Sequence, residues 1–563
     1  MDGRTYLKGF IPYKEEVIRQ YVESGAWENL TYGDLLDRAS SQHPDNVAVV
    51  DEKNRLTYKE LKEKVDRFAI ALLRLGVKPH DRMVIQLPNR YEFVVAFYAF
   101  QKIGVVPVLA IPRHGYQEIS TFFRSTDAVG WVVPTRDSKI LFLPLIEQIR
   151  AKIKAVKFII MPEEDDGVLP PYALSMDKLI HNVEVKDYGP HYLDQFRPDP
   201  NDVSVLIPTG GTTGLPKMVP RSHNSLIVTN RYISKDIDAS DSLLQATPVG
   251  HAMAMQGAVN CAIYRAATLV LQRIPRPTEI LETIQREKVT RVFLVPTQLE
   301  GVINHPDLAK YDLSSLKIVG TTGSELPKET AKKAAEYFAQ LGCKFSGNAL
   351  GASEGLLTQG DPNDPLEVQL ETVGRNVTPA SDYKVIDENE QEVPLNQEGE
   401  LVAKGPEVFT GYYNMREAET RAVFTKDGYY RTGDLAKIDE RGYITITGRK
   451  KDVIMRGGET LVPSEMEALI RKHPQVEAVA VVGMPDLKMG ERACAYVVPK
   501  RGKSVTFDEM IGFLKSQGAS LLLRPERLEI IDTLPLTTVG KVDKKALRKD
   551  IERKLREEGK LDR

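Results

Sequence analysis

The feature that most constrains this chain is a rhythm: short apolar strands alternate with helix-patterned segments over its first two thirds. Residues 81–87 read as a strand closed by Pro88-Asn89, 91–102 as a helix and 105–109 as the next strand. The pattern continues with a helix near 138–152, strands at 155–161, 203–207, 291–295 and 316–319, and a helix over 328–341. Thr31-Tyr32-Gly33-Asp34 and Thr57-Tyr58-Lys59-Glu60 carry capping-box spacing ahead of apolar-periodic segments. In that arrangement a hydroxyl and a carboxylate three residues on each satisfy the other's backbone N–H. Alternation of this kind means α/β layers around mostly parallel sheets. Ligands of such sheets bind beyond the carboxyl ends of the strands.

At one such end lies Ile207-Pro208-Thr209-Gly210-Gly211-Thr212-Thr213-Gly214-Leu215-Pro216-Lys217. Glycines let the backbone turn sharply and approach a ligand closely. Successive N–H groups in such a turn form a concave anion site, threonine hydroxyls add donors, and Lys217 adds a point charge. This is phosphate chemistry in outline. The loop is not a Walker P-loop, because Leu215-Pro216 separates Gly214 from Lys217. No dinucleotide G-x-G-x-x-G opens a helix after a strand either. A lone loop of this composition also fits an ordinary surface turn, so the downstream residues decide its meaning.

A chain of 563 residues is too long for one core, so two or more domains are expected. With 42% hydrophobic and 27% charged residues it reads as soluble and globular. A net charge of -2 provides no basic field for nucleic acid. No apolar run is long enough to span a bilayer, and Met1-Asp2-Gly3-Arg4 lacks an apolar signal core. Scattered cysteines (Cys261, Cys343, Cys494) fit a reducing cytoplasm and argue against a cysteine-rich zinc site, and the histidines show no paired metal-ligand spacing.

From about residue 382 the strands become short and turn-rich, which predicts a β-subdomain. After Gly448-Arg449-Lys450-Lys451-Asp452 the pattern resets. A helix starts at Pro463, strands follow at 476–482 and 493–498, and another helix starts after Thr506. That is a compact α+β domain. Residues 544–563 read as a charged helix that frays. The expected fold is therefore α/β: a large N-terminal domain of mostly parallel αβα sheets plus a β-subdomain over 1–448, a hinge at 449–452, and a small mobile α+β domain over 453–563.

Five stretches, in order and spacing, resemble the motifs of the adenylate-forming superfamily of acyl- and aryl-CoA synthetases, peptide-synthetase adenylation domains and luciferases. They are Thr209–Lys217, Leu350-Gly351-Ala352-Ser353-Glu354, Tyr430-Arg431-Thr432-Gly433-Asp434, Gly448–Asp452 and Pro535-Leu536-Thr537-Thr538-Val539-Gly540-Lys541. Within the superfamily, Lys8–Tyr13, Pro220-Arg221-Ser222-His223 and Arg456-Gly457-Gly458-Glu459 look most like the aryl-acid–AMP ligases, such as 2,3-dihydroxybenzoate–AMP ligases.

The resemblance implies ATP-dependent activation of a carboxylic acid to an acyl-adenylate, then transfer to a pantetheine thiol. By that resemblance Thr209, Gly210, Gly211, Thr212, Thr213, Gly214 and Lys217 grip the β- and γ-phosphates, and Gly351 and Ser353 border the nucleotide. Glu354 holds Mg²⁺, a hard cation that takes oxygen ligands. Asp434 accepts from the ribose hydroxyls, Arg449 contacts the ribose or phosphate, and Lys541 bridges the carboxylate and the α-phosphate in a near-attack geometry. His251 falls beside the acid. Lys451 is the pivot on which the small domain rotates, and Gly457 and Gly458 leave room for the pantetheine arm.

The sequence departs from the family pattern at several positions. Gly210 stands where serine is commonest, and Leu350 where an aromatic residue packs on adenine, so nucleotide affinity is expected to be lower. After His251 the dihydroxybenzoate ligases carry an asparagine that bonds the ring hydroxyl, whereas this chain has Ala252-Met253-Ala254-Met255. A wall that cannot pair with a buried hydroxyl predicts a less polar acid: benzoate-like, another aryl acid or a medium acyl chain. Val462-Pro463-Ser464-Glu465 looks more like coenzyme A ligases, while the amino-terminal stretches look more like carrier-loading ligases. The acceptor thus stays open between coenzyme A and a carrier protein's phosphopantetheine, supplied in trans. Two alternatives stand beside this reading: a medium- or long-chain fatty acyl-CoA synthetase, and a non-catalytic nucleotide-binding regulator on the same fold.

Overall fold

The computed structural model describes residues 5–163, 169–209, 216–322, 326–450, 452–456, 459–517, 519, 523–537 and 541–561. They form two compact units. One takes in the residues up to Thr209, those from 216 to Asp382, and Ala403–Tyr430; the other takes in Tyr383–Val402 and the residues from Arg431 on.

The first unit holds two seven-stranded sheets. In one the strand order is Lys344–Ala349, Ile318–Thr322, Arg291–Leu294, Ser242–Gln245, Thr268–Leu271, Val47–Val50 and Arg55–Thr57. Its neighbours are parallel except for the last pair, an antiparallel edge hairpin. In the other the order is Met218–Ser222, Val203–Pro208, Val106–Leu109, Arg82–Ile85, Gly130–Val132, Phe158–Met161 and Leu174–Ser175. The expected parallel sheets are therefore present. Each has its own core: Leu244, Val270, Val292 and Val319 pack with Ile280, Ile284 and Phe338, and Val84, Val106 and Leu206 pack with Phe122, Trp131, Ile146 and Ile149. Helix Tyr91–Lys102 is apolar nearly all round and is buried along its whole length, as such a pattern requires. Thr31 and Thr57 both form the expected capping boxes.

One helix begins later than its sequence predicts. Residues Arg136–Asp137 and Ile140–Leu141 pair as a small ribbon, and the helix runs from Leu143 to Lys152. Ser138, at φ 52°, turns the chain left-handed where a helix would need the opposite hand.

Strands Asp382–Ile386, Gly399–Lys404, Tyr430–Ile438 and Ile444–Arg449, most of whose residues belong to the second unit, line up as a four-stranded sheet. A further sheet has the order Glu459–Leu461, Ile454–Arg456, Gly490–Pro499 and Val476–Asp486, with Arg527–Ile530 parallel to Gly490–Pro499. Both faces of Gly490–Pro499 are covered. Ala493, Ala495 and Val497 pack beneath helices Pro463–Ile470 and Phe507–Ser516, while Cys494 and Tyr496 face helix Lys544–Glu557. That last helix corrects the expectation of fraying. Leu547, Ile551 and Leu555 form a buried stripe, Tyr496 donates to Asp550 at 2.8 Å, and Lys554 pairs with Glu529 at 2.6 Å. Three apolar residues four apart, each contributing up to about 1.5–3 kcal/mol, are enough to dock a helix whose other faces are charged. No helix among the described residues is long and apolar enough to cross a membrane.

Candidate active site

In the first unit, strand Val203–Pro208 turns back on itself. Met218–Ser222 returns antiparallel to it, with Pro208 opposite Met218. The Thr209 N–H donates to the Lys217 carbonyl at 2.9 Å, and the Lys217 N–H donates to the Thr209 hydroxyl at 3.1 Å. The residues that flank the phosphate-type loop, Thr209 and Lys217, are thus paired with each other at the carboxyl end of strand Val203–Pro208. Gly210, Gly211, Thr212, Thr213 and Gly214 lie outside the described residues.

The Gly351–Glu354 segment forms a tight turn closed by a bridge between Gly351 and Leu357 and by the Ala352 N–H donating to the Leu356 carbonyl at 2.9 Å. Glu354 is 8% exposed. Its carboxylate accepts from the Tyr412 hydroxyl at 2.7 Å, and its carbonyl accepts from the Phe409 N–H at 2.8 Å. Tyr430 hydrogen-bonds to the same carboxylate and to Tyr412, and burial, followed by the negative charge of Glu354, pushes both phenols up. The next residue must be glycine: at Gly355 φ is +118°, and a Cβ there would sit 2.1 Å from the Glu407 carbonyl. Lys217 joins this group, its Nζ 4.7 Å from the centre of the Tyr412 ring.

Behind the turn, Arg221 is wholly buried. Its guanidinium donates to the carbonyls of Ser353 (2.8 Å), Glu407 (2.6 Å) and Ser225 (3.1 Å). Burial lowers its pKa from the ordinary arginine value, while nearby Tyr13, Tyr32, Glu407 and Glu354 act the other way. The 406–414 segment is clasped by the chain's N-terminal extension. Tyr13 donates to the Val408 carbonyl at 2.8 Å, Trp27 to that of Pro406 at 3.1 Å, and the Asn414 N–H to Gly9 at 3.0 Å.

His251 lies on the other sheet's carboxyl edge, beyond strand Ser242–Gln245. It caps the turn Ala252–Ala254, its Nδ1 accepting from the Met253 N–H at 3.3 Å. The two carboxyl edges meet here. A Cβ on Gly250 would lie 2.3 Å from the carbonyl of Ala110, just past strand Val106–Leu109, so only glycine fits. Asn89 fixes the approach: its Nδ2 lies within 3.1 Å of the Gln245, Thr247 and Gln272 carbonyls, and its Oδ1 accepts from the Val249 N–H at 2.9 Å. Ala252, Ala254 and Met255 are buried. Residues Met255–Val259 form a π-turn between Ala252–Ala254 and helix Asn260–Arg265, a feature common at functional sites.

In the second unit, Asp434 and Arg449 face each other across an antiparallel pair, with Nε and Oδ1 2.6 Å apart. Asp434 is 5% exposed, and its N–H donates to the Thr432 hydroxyl at 3.0 Å. Lys541 is paired with Thr537: the Thr537 N–H donates to its carbonyl at 2.7 Å and the Lys541 N–H to the Thr537 hydroxyl at 3.1 Å. Lys451, Gly457 and Gly458 lie outside the described residues.

The sequence reading assigned no role to Tyr412, Arg221 or Asn89. Tyr412 lies in an unremarkable Gly-Tyr-Tyr-Asn run, Arg221 was noted only within its segment, and Asn89 read as a strand terminator. Their one shared signal is a polar side chain inside an otherwise apolar or turn-forming stretch.

Among the described residues no three His, Cys, Asp or Glu side chains gather to hold a metal. A single buried carboxylate such as Glu354 suits magnesium, which takes one or two protein carboxylates and fills its remaining positions with phosphate oxygens and water.

Comparison with known proteins shows the family. The AMP-binding enzyme family matches residues 22–413, and the AMP-binding enzyme C-terminal domain matches 465–541. The chain is 33% identical to a 2,3-dihydroxybenzoate-AMP ligase of Bacillus subtilis, over 98% of this chain and 99% of the relative. It is also 33% identical to a salicylyl-CoA synthase / salicylate adenylyltransferase of a Streptomyces species, over 96% and 97%. The apo structure of MbtA from Mycobacterium smegmatis superposes with a TM-score of 0.72 at 31% identity, covering 96% of this chain and 99% of that one. The chain belongs to the AMP-binding enzyme family, the ATP-dependent, AMP-forming acid–thiol ligases.

Proposed function

We propose that this enzyme activates a sparingly hydroxylated aryl acid, of the benzoate or salicylate kind, and passes the acyl group to a pantetheine thiol. A carboxylate oxygen attacks the α-phosphorus of ATP, the bond to the β-phosphate's bridging oxygen breaks, and pyrophosphate leaves. A thiolate then attacks the acyl carbon and AMP departs, the thiol proton going to solvent. Both partners of the first step are anions, so cations and N–H donors must offset charge as it develops.

The observation that carries the reading is the grouping of Lys217, Tyr412 and Glu354. There Lys217 meets the outer phosphates, with Thr209 and the loop residues Gly210, Gly211, Thr212, Thr213 and Gly214 supplying donors. Glu354 holds Mg²⁺, which when bound offsets phosphate charge. Gly351 and Ser353 border the nucleotide, Asp434 and Arg449 take the ribose, and Lys541 bridges the carboxylate and α-phosphate. The stretch 449–452, with Lys451, is the hinge between residues 1–448 and a moving domain of 453–563, and Gly457 and Gly458 line the thiol's path. Closure of this kind builds one site from two halves.

The acid lies beside His251 against Ala252, Ala254 and Met255. The relatives' names carry dihydroxybenzoate and salicylate. This wall is apolar, and a hydroxyl buried without a partner costs about 1–3 kcal/mol, roughly five- to 150-fold in kcat/KM. The acceptor is coenzyme A or a carrier protein's phosphopantetheine, and the reaction is expected to take place in the cytoplasm.

Carboxylate-dependent ATP–pyrophosphate exchange tests this over benzoate, salicylate, 2,3-dihydroxybenzoate, a phenylpropenoic acid and short, medium and long fatty acids. Benzoate or salicylate is expected to lead. Turnover of 2,3-dihydroxybenzoate far above both, or exchange with fatty acids alone, would overturn the substrate assignment.

A further inference from the structure

Lys217 and Glu354 are opposite charges on neighbouring segments, and nothing in their own chemistry keeps them apart. A direct ion pair would satisfy each of them and would withdraw both the phosphate grip and the metal carboxylate. Tyr412 is placed to prevent it. Its ring faces the Lys217 ammonium at 4.7 Å, and its hydroxyl donates to Glu354 at 2.7 Å. A cation over a ring face is attracted by the quadrupole without losing its charge, and a carboxylate accepting from a phenol keeps its other lone pairs for a metal.

The ring itself is held on several sides. The Tyr413 N–H donates to the Met218 carbonyl at 2.9 Å, tying the residue after Tyr412 to the residue after Lys217. The Phe409 N–H does the same for Glu354 at 2.8 Å. Phe409 meets the Tyr412 ring edge-on, with centroids 5.0 Å apart and planes at 70°.

We propose that Tyr412 is a positioning residue that spaces the phosphate-gripping lysine from the metal-holding glutamate, presenting its face to the first and its hydroxyl to the second. The inference rests on the roles of Lys217 and Glu354 proposed above. Tyr412→Phe keeps the spacer and removes the hydroxyl, whereas Tyr412→Leu removes the face as well.

The test is calorimetric titration of ATP into the full-length enzyme, with Mg²⁺ and with EDTA, using Glu354→Gln as reference. Glu354→Gln is expected to lose the Mg²⁺-dependent gain in ATP affinity. Tyr412→Phe keeps wild-type affinity in EDTA but loses about tenfold of that gain, the effect of one hydrogen bond to a charged group. Tyr412→Leu binds ATP more weakly in both media. Pyrophosphate exchange follows in step, with Tyr412→Phe needing more Mg²⁺ at similar kcat. A full Mg²⁺ gain in Tyr412→Phe beside its loss in Glu354→Gln overturns the inference and leaves the Glu354 assignment standing. A full gain in Glu354→Gln overturns that assignment, and the inference with it.

Discussion

Replacing Arg221 with methionine removes a buried cation of similar volume and leaves three carbonyls to find new partners. The Ser225 carbonyl lies within helix His223–Ile233 and keeps its helical bond. Those of Ser353 and Glu407 lose the guanidinium that holds them at 2.8 and 2.6 Å. Each buried carbonyl left unpaired costs about 1–3 kcal/mol. Relief from burying a charge recovers part of that, for a net loss of about 3 kcal/mol. Both tryptophans of the chain, Trp27 and Trp131, lie in the first unit. Urea unfolding followed by tryptophan fluorescence therefore reads this unit, and Trp27 donates to Pro406, next to the affected loop. Arg221→Lys, with one donor head in place of a fork, is expected to fall between wild type and Arg221→Met. Because Ser353 immediately precedes Glu354, exchange should also fall about tenfold or more and need more Mg²⁺, as an error in positioning costs rate. An unfolding midpoint and an exchange rate both indistinguishable from wild type would refute the argument, since losing the guanidinium that holds both carbonyls cannot be silent in both.

Two further predictions concern protons and the C-terminal lysine. Burial holds His223 down to about 3 and His114 to about 4, and both accept backbone N–H bonds at Nδ1, from Tyr32 and Ile111. The unfolded chain takes up protons near pH 6.5 that the folded chain refuses. Stability therefore falls as pH drops from 6.5 towards about 4, by up to about 1.4 kcal/mol per pH unit for each histidine. His80, raised by its bond to Asp202, works in the opposite sense. The urea midpoint of a His114→Asn, His223→Asn variant should thus flatten relative to wild type over this window; parallel slopes would sink the reading. Lys541→Ala should abolish pyrophosphate exchange while leaving thioester formation from supplied acyl-adenylate largely intact; equal loss of both half-reactions in folded protein would contradict the role given to Lys541.

Much of the fold was legible because two periodicities carried it. Strands such as Val106–Leu109 and Arg291–Leu294 are short apolar runs between helix-patterned segments, and the capping boxes at Thr31, Thr57 and Thr506 mark helix starts by chemistry alone. The roles of the motif glycines and charges come from the family resemblance, and of those charges the structure describes Lys217, Glu354, Asp434, Arg449 and Lys541. What was not legible depends on distant partners. Arg221 is only part of a family-like segment until the 353 and 407 carbonyls arrive, 132 and 186 residues away. Tyr412 is one tyrosine among 22 until Lys217 and Glu354 flank it. The π-turn at Met255–Val259 has no residue that announces it. The final helix looked free because its apolar stripe is narrow, and only Tyr496 and its neighbours show what the stripe packs against.

The same contacts explain how a chain of net charge -2 handles a reaction between two anions. A global positive field would draw anions to every surface and distinguish none of them. This chain places individual cations instead and fixes what surrounds each one. Arg221 is used for architecture: its two terminal nitrogens donate to the Ser353, Glu407 and Ser225 carbonyls, the first of which leads into the Glu354 turn. Arg431 is paired with Glu400 and Glu390, and Lys450 with Glu400, so they brace the sheet that carries Asp434. Lys217 is different: an aromatic face is a weaker partner than a carboxylate, which suits the phosphate contact proposed for it. The phosphate grip proposed for Lys217 depends on that weak hold, and the discriminating experiment is to strengthen it. A carboxylate at the ring position, Tyr412→Glu, would pair with Lys217 and repel Glu354 at once, and both grips should fail together.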